Sequence, residues 1–245
     1  MCGLLNIKAN TLTTVLSKTS EFVSIDSRWT NEWDKPVQTG MRKYVYADGE
    51  LYLFSGDHLP ILLEQALYTY VIEEDDYLRF YEMLDTSEIF GYIAIEEMNG
   101  HQIFDENYTF EWHCGLSHTG SGGKWAAEFY HYADRKHYQS IYGCNIIGAL
   151  KHAFYRDICS GDQIFKRVWS PVPFDNTLQT DLNYKNFLEQ EINTYFRGIQ
   201  NMTTTLRSAM RTSPTACGAR VNLDTAKSRL AKRKQRLEEQ KVKSK

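Results

Sequence analysis

The stretch His118-Thr119-Gly120-Ser121-Gly122-Gly123-Lys124-Trp125 holds the first residues whose types and spacing could do chemistry. It follows an alternating apolar run (Phe110, Trp112, Cys114, Leu116) and precedes a helical pattern that opens at Trp125. A glycine-rich turn in that place could cradle a phosphate, let two backbones approach at a catalytic centre, or simply connect strand to helix. Phosphate binding needs four residues between two glycines, then Lys, then a Ser or Thr hydroxyl for magnesium. Gly123-Lys124 is followed by Trp125, which offers no oxygen, and Gly120 is followed by Ser121 where Lys is required. No glycine pattern of the dinucleotide kind opens an early βαβ unit. The loop is therefore not read as a nucleotide cradle. His113, Cys114 and His118 lie close together, but no second ligand pair stands at zinc spacing, so no metal is expected.

Other polar residues carry two readings each. Asp26 in Asp26-Ser27-Arg28 fits a turn that caps local backbone. Lys43 beside Arg42 fits a solvated charge on an edge strand. Ser121 between glycines fits a helix N-cap, and Asp157 beside Arg156 fits a surface ion pair. All four are also residue types that acid–base or nucleophilic chemistry uses.

The elements that must position them follow from pattern. Phe22–Arg28 and Tyr44–Gly56 read as strands, the second folded at Asp48-Gly49, a dipeptide that accepts a tight hairpin turn. Two helical patterns follow (His58 to Ile72, Asp75 to Asp85), then strands within 89–118 with a turn at Asn99-Gly100. Two more helical patterns (Lys124 to Lys136, Cys144 to Ile158) precede a strand over Gln163 to Trp169. Strands and helices come in blocks rather than alternating singly, which favours α+β layers: two sheets face to face, flanked by helix pairs.

Composition bounds the class. The 245 residues are 42% hydrophobic and 24% charged, as in a soluble globular protein with one core. No secretory signal or membrane span is read, and five cysteines without CxxC spacing fit a reducing cytoplasm. From Arg207 onward about a dozen Lys and Arg stand against about three acids, which marks a basic tail on an acidic body.

In this order, FVSIDSRWT, RKYVY, LFSGD, TGSGGKWA and AFYRDICSG are similar to signature segments of proteasome β-subunits and the related bacterial ATP-dependent peptidase. The likeness spans roughly residues 13 to 170, and its most specific piece is Tyr155 to Gly161. The resemblance implies a four-layer αββα sandwich of the N-terminal-nucleophile (Ntn) hydrolase kind, with a helical basic C-terminal extension. It divides the chain into 1–12 (extension or propeptide), 13–180 (core) and 181–245 (extension). In this family the nucleophile is the hydroxyl or thiol of the first residue, and its free α-amine is the base. By resemblance, Lys43 supplies an ammonium, Asp26 its partner carboxylate, and Ser121, Asp157 and Ser160 orient the amine and a water. The Gly56 N–H would face the oxyanion.

The nucleophile is open between two residues. Thr13 begins the hairpin LTTVLSKTSEFVSID, but exposing it requires removal of residues 1–12 after Leu12, where the family usually cuts after Gly. Cys2 would become terminal by loss of Met1, and MCGLL resembles the start of class-II glutamine amidotransferases. The expected function is a threonine-type peptidase cutting peptide or other amide bonds without cofactor, in a homo-oligomer. The alternatives are a non-catalytic assembly subunit and a Cys2-dependent amidohydrolase or amidotransferase. In the tail, residues 180–199 read as one amphipathic helix, and Leu223, Leu230 and Leu237 recur every seventh residue. Three leucines are too few for a coiled coil, so a solvated helix is expected there, with docking to a protein partner as the second reading. The absence of aromatic interleaving argues against nucleic acid.

Overall fold

The computed structural model describes residues 13–31, 33–103, 110–198 and 218–243. The chain opens with β1 (Val15–Lys18), β2 (Phe22–Asp26), a small hairpin of β3 (Trp29–Thr30) and β4 (Pro36–Val37), then β5 (Tyr44–Ala47) and β6 (Glu50–Gly56). Helices α1 (His58–Tyr68) and α2 (Glu74–Tyr81) precede β7 (Ile89–Glu96), β8 (Gln102–Ile103), β9 (Glu111–His113) and β10 (Leu116–Thr119). Helices α3 (Gly123–Arg135) and α4 (Asn145–Arg156) lead to β11 (Ile164–Val168) and β12 (Phe174–Asp175). Last come α5 (Leu182–Ile192), β13 (Ala219–Arg220) and α6 (Leu223–Lys243).

One sheet runs β12-β11-β2-β1-β10-β9; the other runs β13-β7-β6-β5 with β8 on β7. Strand alternation builds the layers, because neighbouring side chains point to opposite faces. Val15, Val23 and Ile25 meet Tyr44, Leu51, Leu53, Ile93 and Ile95 between the sheets. Their neighbours Leu16 and Phe22 face the other way, onto Ala126, Ala149, Leu150 and Ala153 of the α3–α4 pair. Tyr52, Phe54 and Ala94 face α1 and α2. The result is an αββα sandwich.

Three local expectations change. The alternating run through Phe110 and Leu116 is not one strand. Cys114 (φ 51°) and Gly115 (φ 82°) form a left-handed two-residue turn, and β9 folds back on β10 with Leu116 opposite His113. The β3–β4 pair was not anticipated. The basic tail is not a solvated helix either: Ala226 and Leu230 of α6 are buried with Tyr77 and Tyr81 of α2. Arg229 pairs with the buried Glu64 of α1, Arg233 with Asp48, and Arg236 lies 3.5 Å from Glu50. Tyr184, Leu188 and Ile192 bring α5 into the same core. Among the described residues no helix is long and apolar enough to cross a membrane, and no three His, Cys, Asp or Glu side chains gather as metal ligands.

Candidate active site

The β1–β2 hairpin sets the centre. Its register places Val15 opposite Ile25, so Thr14 falls beside Asp26 at the open end. The Thr14 amide donates to Asp26 Oδ1 at 2.8 Å. Asp26 is fully buried, and its other oxygen accepts from the amides of Gly161 (3.0 Å) and Arg28 (3.2 Å). Lys43, 2% exposed, stands 3.5 Å from Asp26 Oδ2 and also donates to the Arg28 carbonyl. Its third N–H has no hydrogen-bond partner among the described residues. Burial pushes the Asp26 pKa up, opposed by Lys43 and the three amides. Burial likewise pulls Lys43 down, opposed by Asp26. Desolvation thus weighs against both charged forms, while each charge favours the other.

A second group lies on the other side of Thr14. Ser121 and Ser160 both donate to Asp157 Oδ2 at 2.6 Å. Ser160 has one proton and gives it to Asp157, so in the 2.7 Å contact between Thr14 and Ser160 the Thr14 hydroxyl is the donor. Thr14 therefore joins the carboxylate–ammonium pair, through its amide, to the hydroxyl–carboxylate group, through its side chain. The glycine loop closes over this junction. A Cβ on Gly122 would collide with the Thr14 and Ser160 hydroxyl oxygens, and one on Gly120 (φ 81°) with the Thr13 carbonyl. The loop is a close approach of backbones that carries Ser121 inward.

Thr13 has the strand parity of Val15, opposite to Thr14. It is 1% exposed, and its hydroxyl has no hydrogen-bond partner among the described residues. Beside it the two sheets are tied by a 2.7 Å bond between the Ser55 and Thr119 hydroxyls. Gly56 follows Ser55 and ends β6 at φ 122°, where a Cβ would run into the backbone at Ile89. A cavity of about 410 Å³ opens beside the ion pair, walled by Trp29, Met41, Tyr44, Phe165 and the 38–42 loop. Cys2 lies outside the described residues.

The structure brings Asp26, Lys43, Ser121, Asp157 and Ser160 into one connected network, with Thr13 and Gly56 at its edge. Sequence reasoning passed over three participants. Thr14 was readable in principle, by counting back from the hairpin turn. Arg28, which supplies both an amide and a carbonyl to the ion pair and grips Asp162 and the Ile158 carbonyl, lay inside a quoted segment without a role. Ser55 likewise lay inside a quoted segment, LFSGD, without a role.

No protein-family profile matches the sequence, and no curated protein matches it. Among solved structures the chain is similar to eukaryotic HslV from Trypanosoma brucei, at 16% identity and a TM-score of 0.40, over 63% of this chain and 98% of that one. It is also similar to Thiobacillus denitrificans BPH in complex with epoxomicin, at 14% identity and a TM-score of 0.36, over 66% of this chain and 100% of that one. In its ordered segments and its αββα layers, the chain resembles the proteasome β-subunit-like Ntn hydrolases.

Proposed function

We propose that the protein is a threonine-type amide-bond hydrolase of the proteasome-like kind, with Thr13 as its nucleophile once residues 1–12 are removed. The carrying observation is the Thr13 hydroxyl itself. It is buried and has no hydrogen-bond partner among the described residues, one residue from the amide that binds Asp26. Buried polar groups are nearly always paired, so one left open calls for an explanation, and a catalytic role is one such explanation.

In the processed chain the Thr13 α-amine would be free, with a pKa near 8 before its neighbours act. The nearby Lys43 ammonium disfavours a second positive charge and lowers that value, so the amine is neutral near pH 7. Asp26 keeps Lys43 charged against its burial. The Thr13 oxygen attacks the carbonyl carbon of the scissile amide while its proton passes to the α-amine. The same proton then moves to the leaving nitrogen as the C–N bond breaks, leaving an ester on Thr13. Water attacks the ester, again through the amine, and releases the carboxylic acid product and the Thr13 hydroxyl. The Gly56 N–H would stabilise the oxyanion, a contribution of ~3 kcal/mol for one donor. Ser121, Asp157 and Ser160 would orient the amine and the water. No cofactor enters this scheme.

Intact-mass measurement with N-terminal sequencing tests the reading, alongside hydrolysis of fluorescein-labelled casein. A chain beginning at Thr13 that releases label supports it, and Lys43→Ala should abolish release. Loss of Met1 alone with Cys2-dependent hydrolysis would transfer the role to Cys2. An uncut, inactive chain would leave a non-catalytic assembly subunit.

A further inference from the structure

The residue before Lys43 is held in an unusual way. Arg42 precedes the β5 ladder, so its backbone groups must find partners elsewhere. Its amide donates to the Tyr184 hydroxyl at 2.8 Å, and its carbonyl accepts from Gln65 Nε2 at 2.8 Å. The Tyr184 hydroxyl then donates to Gln65 Oε1 at 2.6 Å, closing the ring. Gln65 is 0% and Tyr184 4% exposed, so water does not compete for these bonds. Burial pushes the Tyr184 phenol well up, which keeps it protonated as the ring requires.

The same helix presses on the rest of the loop. Asp181 caps α5 by accepting the Tyr184 amide at 2.9 Å. The Arg42 guanidinium lies 4.3 Å from the Tyr184 ring centre and donates to the carbonyls of Leu178 (3.3 Å) and Gln179 (3.0 Å). At Gly40 a Cβ would stand 2.9 Å from the Phe187 ring, so the loop lies flat beneath α5. Every one of these α5 contacts comes from beyond residue 170, where the likeness in sequence segments ends.

We propose that Tyr184 and Gln65 are positioning residues for Lys43. They clamp the Arg42 backbone so that the adjoining ammonium stays on Asp26 and the Arg28 carbonyl, aimed at Thr13. This rests on the function proposed above, and the tests separate the two. The side chain of Lys43 is long and has many rotamers, and only a fixed backbone origin lets a buried pair hold it in one place. The appended helix is then part of the active centre rather than a decoration on it.

Tyr184→Phe keeps the ring and its stacking but removes the hydroxyl. In the full chain the Arg42 amide should exchange with solvent at least about tenfold faster, and the Lys43 ammonium titration, followed by ¹⁵N NMR, should shift. On labelled casein, kcat should fall about tenfold to a hundredfold with KM little changed, as small displacements of a catalytic group do. The acid limb of the pH–rate profile should move to higher pH, because a displaced ammonium depresses the α-amine pKa less. Gln65→Leu, which opens the ring from the other side, should reproduce these effects and serves if the first variant folds poorly. Wild-type kcat and pH limb in either folded variant would overturn the proposal. If the wild-type chain hydrolyses nothing, the function fails, and exchange and titration decide the clamp: changed values uphold it, and unchanged values overturn it.

Discussion

His58 shows how a single buried side chain sets a pH dependence. It opens α1 two residues after Gly56, is fully buried, and has no hydrogen bond to either ring nitrogen among the described residues. Trp29 and Tyr195 meet its ring edge-on at 5.9 and 5.2 Å, and Glu191 lies 3.7 Å away. Burial pulls its pKa down to about 3 from an ordinary 6.5. Between those values the unfolded chain binds a proton that the folded chain refuses, so stability falls as pH falls through that window. Going from pH 7 to pH 5 should cost about 2 kcal/mol from this group. Urea unfolding at the two pH values would show it, and His58→Leu should remove most of the difference. At this scale the sequence was legible where residue type and order carry meaning. Asp26, Lys43, Ser121, Asp157 and Ser160 could be singled out, and the structure joins them. Gln65 and Tyr184 could not, since a buried glutamine in a helix and a tyrosine in an amphipathic one look like ordinary packing until the fold brings them 119 residues together.

Elements with local signals were readable, and those defined by distant partners were not. Asp48-Gly49 and Asn99-Gly100 announce their turns, and the structure places Gly49 at φ 76° and Gly100 at φ 73°. The α4 pattern announces its buried face through Ile146, Ala149, Leu150 and Ala153. Cys114-Gly115 hid its hairpin, because the turn fell within an unbroken apolar alternation. Helix α6 hid its docking, because arginines usually mark a wet face. Their stems and guanidinium groups instead reach Glu64, Asp48 and Glu50, which lie far away in the chain. This gives the element its prediction. Arg229→Met should destabilise the protein by about 3–5 kcal/mol, since it strands the Glu64 carboxylate beneath α6. Adding Glu64→Leu should recover most of that loss, because replacing both members of a buried pair by apolar groups is often neutral. Chemical unfolding of the two single variants and the double variant measures the coupling.

For the molecule as a whole, the block order of strands and helices was enough to suggest layered sheets, because each apolar face must find a cover. Assembly follows from what remains uncovered. Tyr132, Ile141, Tyr142, Tyr155 and Ile158 on and around the α3–α4 pair are 50% to 86% exposed. Exposed apolar groups mark a contact surface where they lie together, and these five all come from the same helix pair and its flanking turns. Light scattering on the purified protein should therefore give a mass of two or more chains, each 28.5 kDa before removal of residues 1–12, and a value equal to one chain would rule out a homo-oligomer. The far-apart origins of the centre have a further effect. Thr14 meets Ser160 across 146 residues and Arg42 meets Tyr184 across 142; away from the centre, Glu64 meets Arg229 across 165. A nascent chain still emerging from the ribosome has Thr13, Asp26 and Lys43 in hand long before it has the pieces that lock them together. Under the function proposed above, a growing polypeptide would stay harmless to its neighbours until Ser160 and Tyr184 have been added, so completion of synthesis would be a built-in delay.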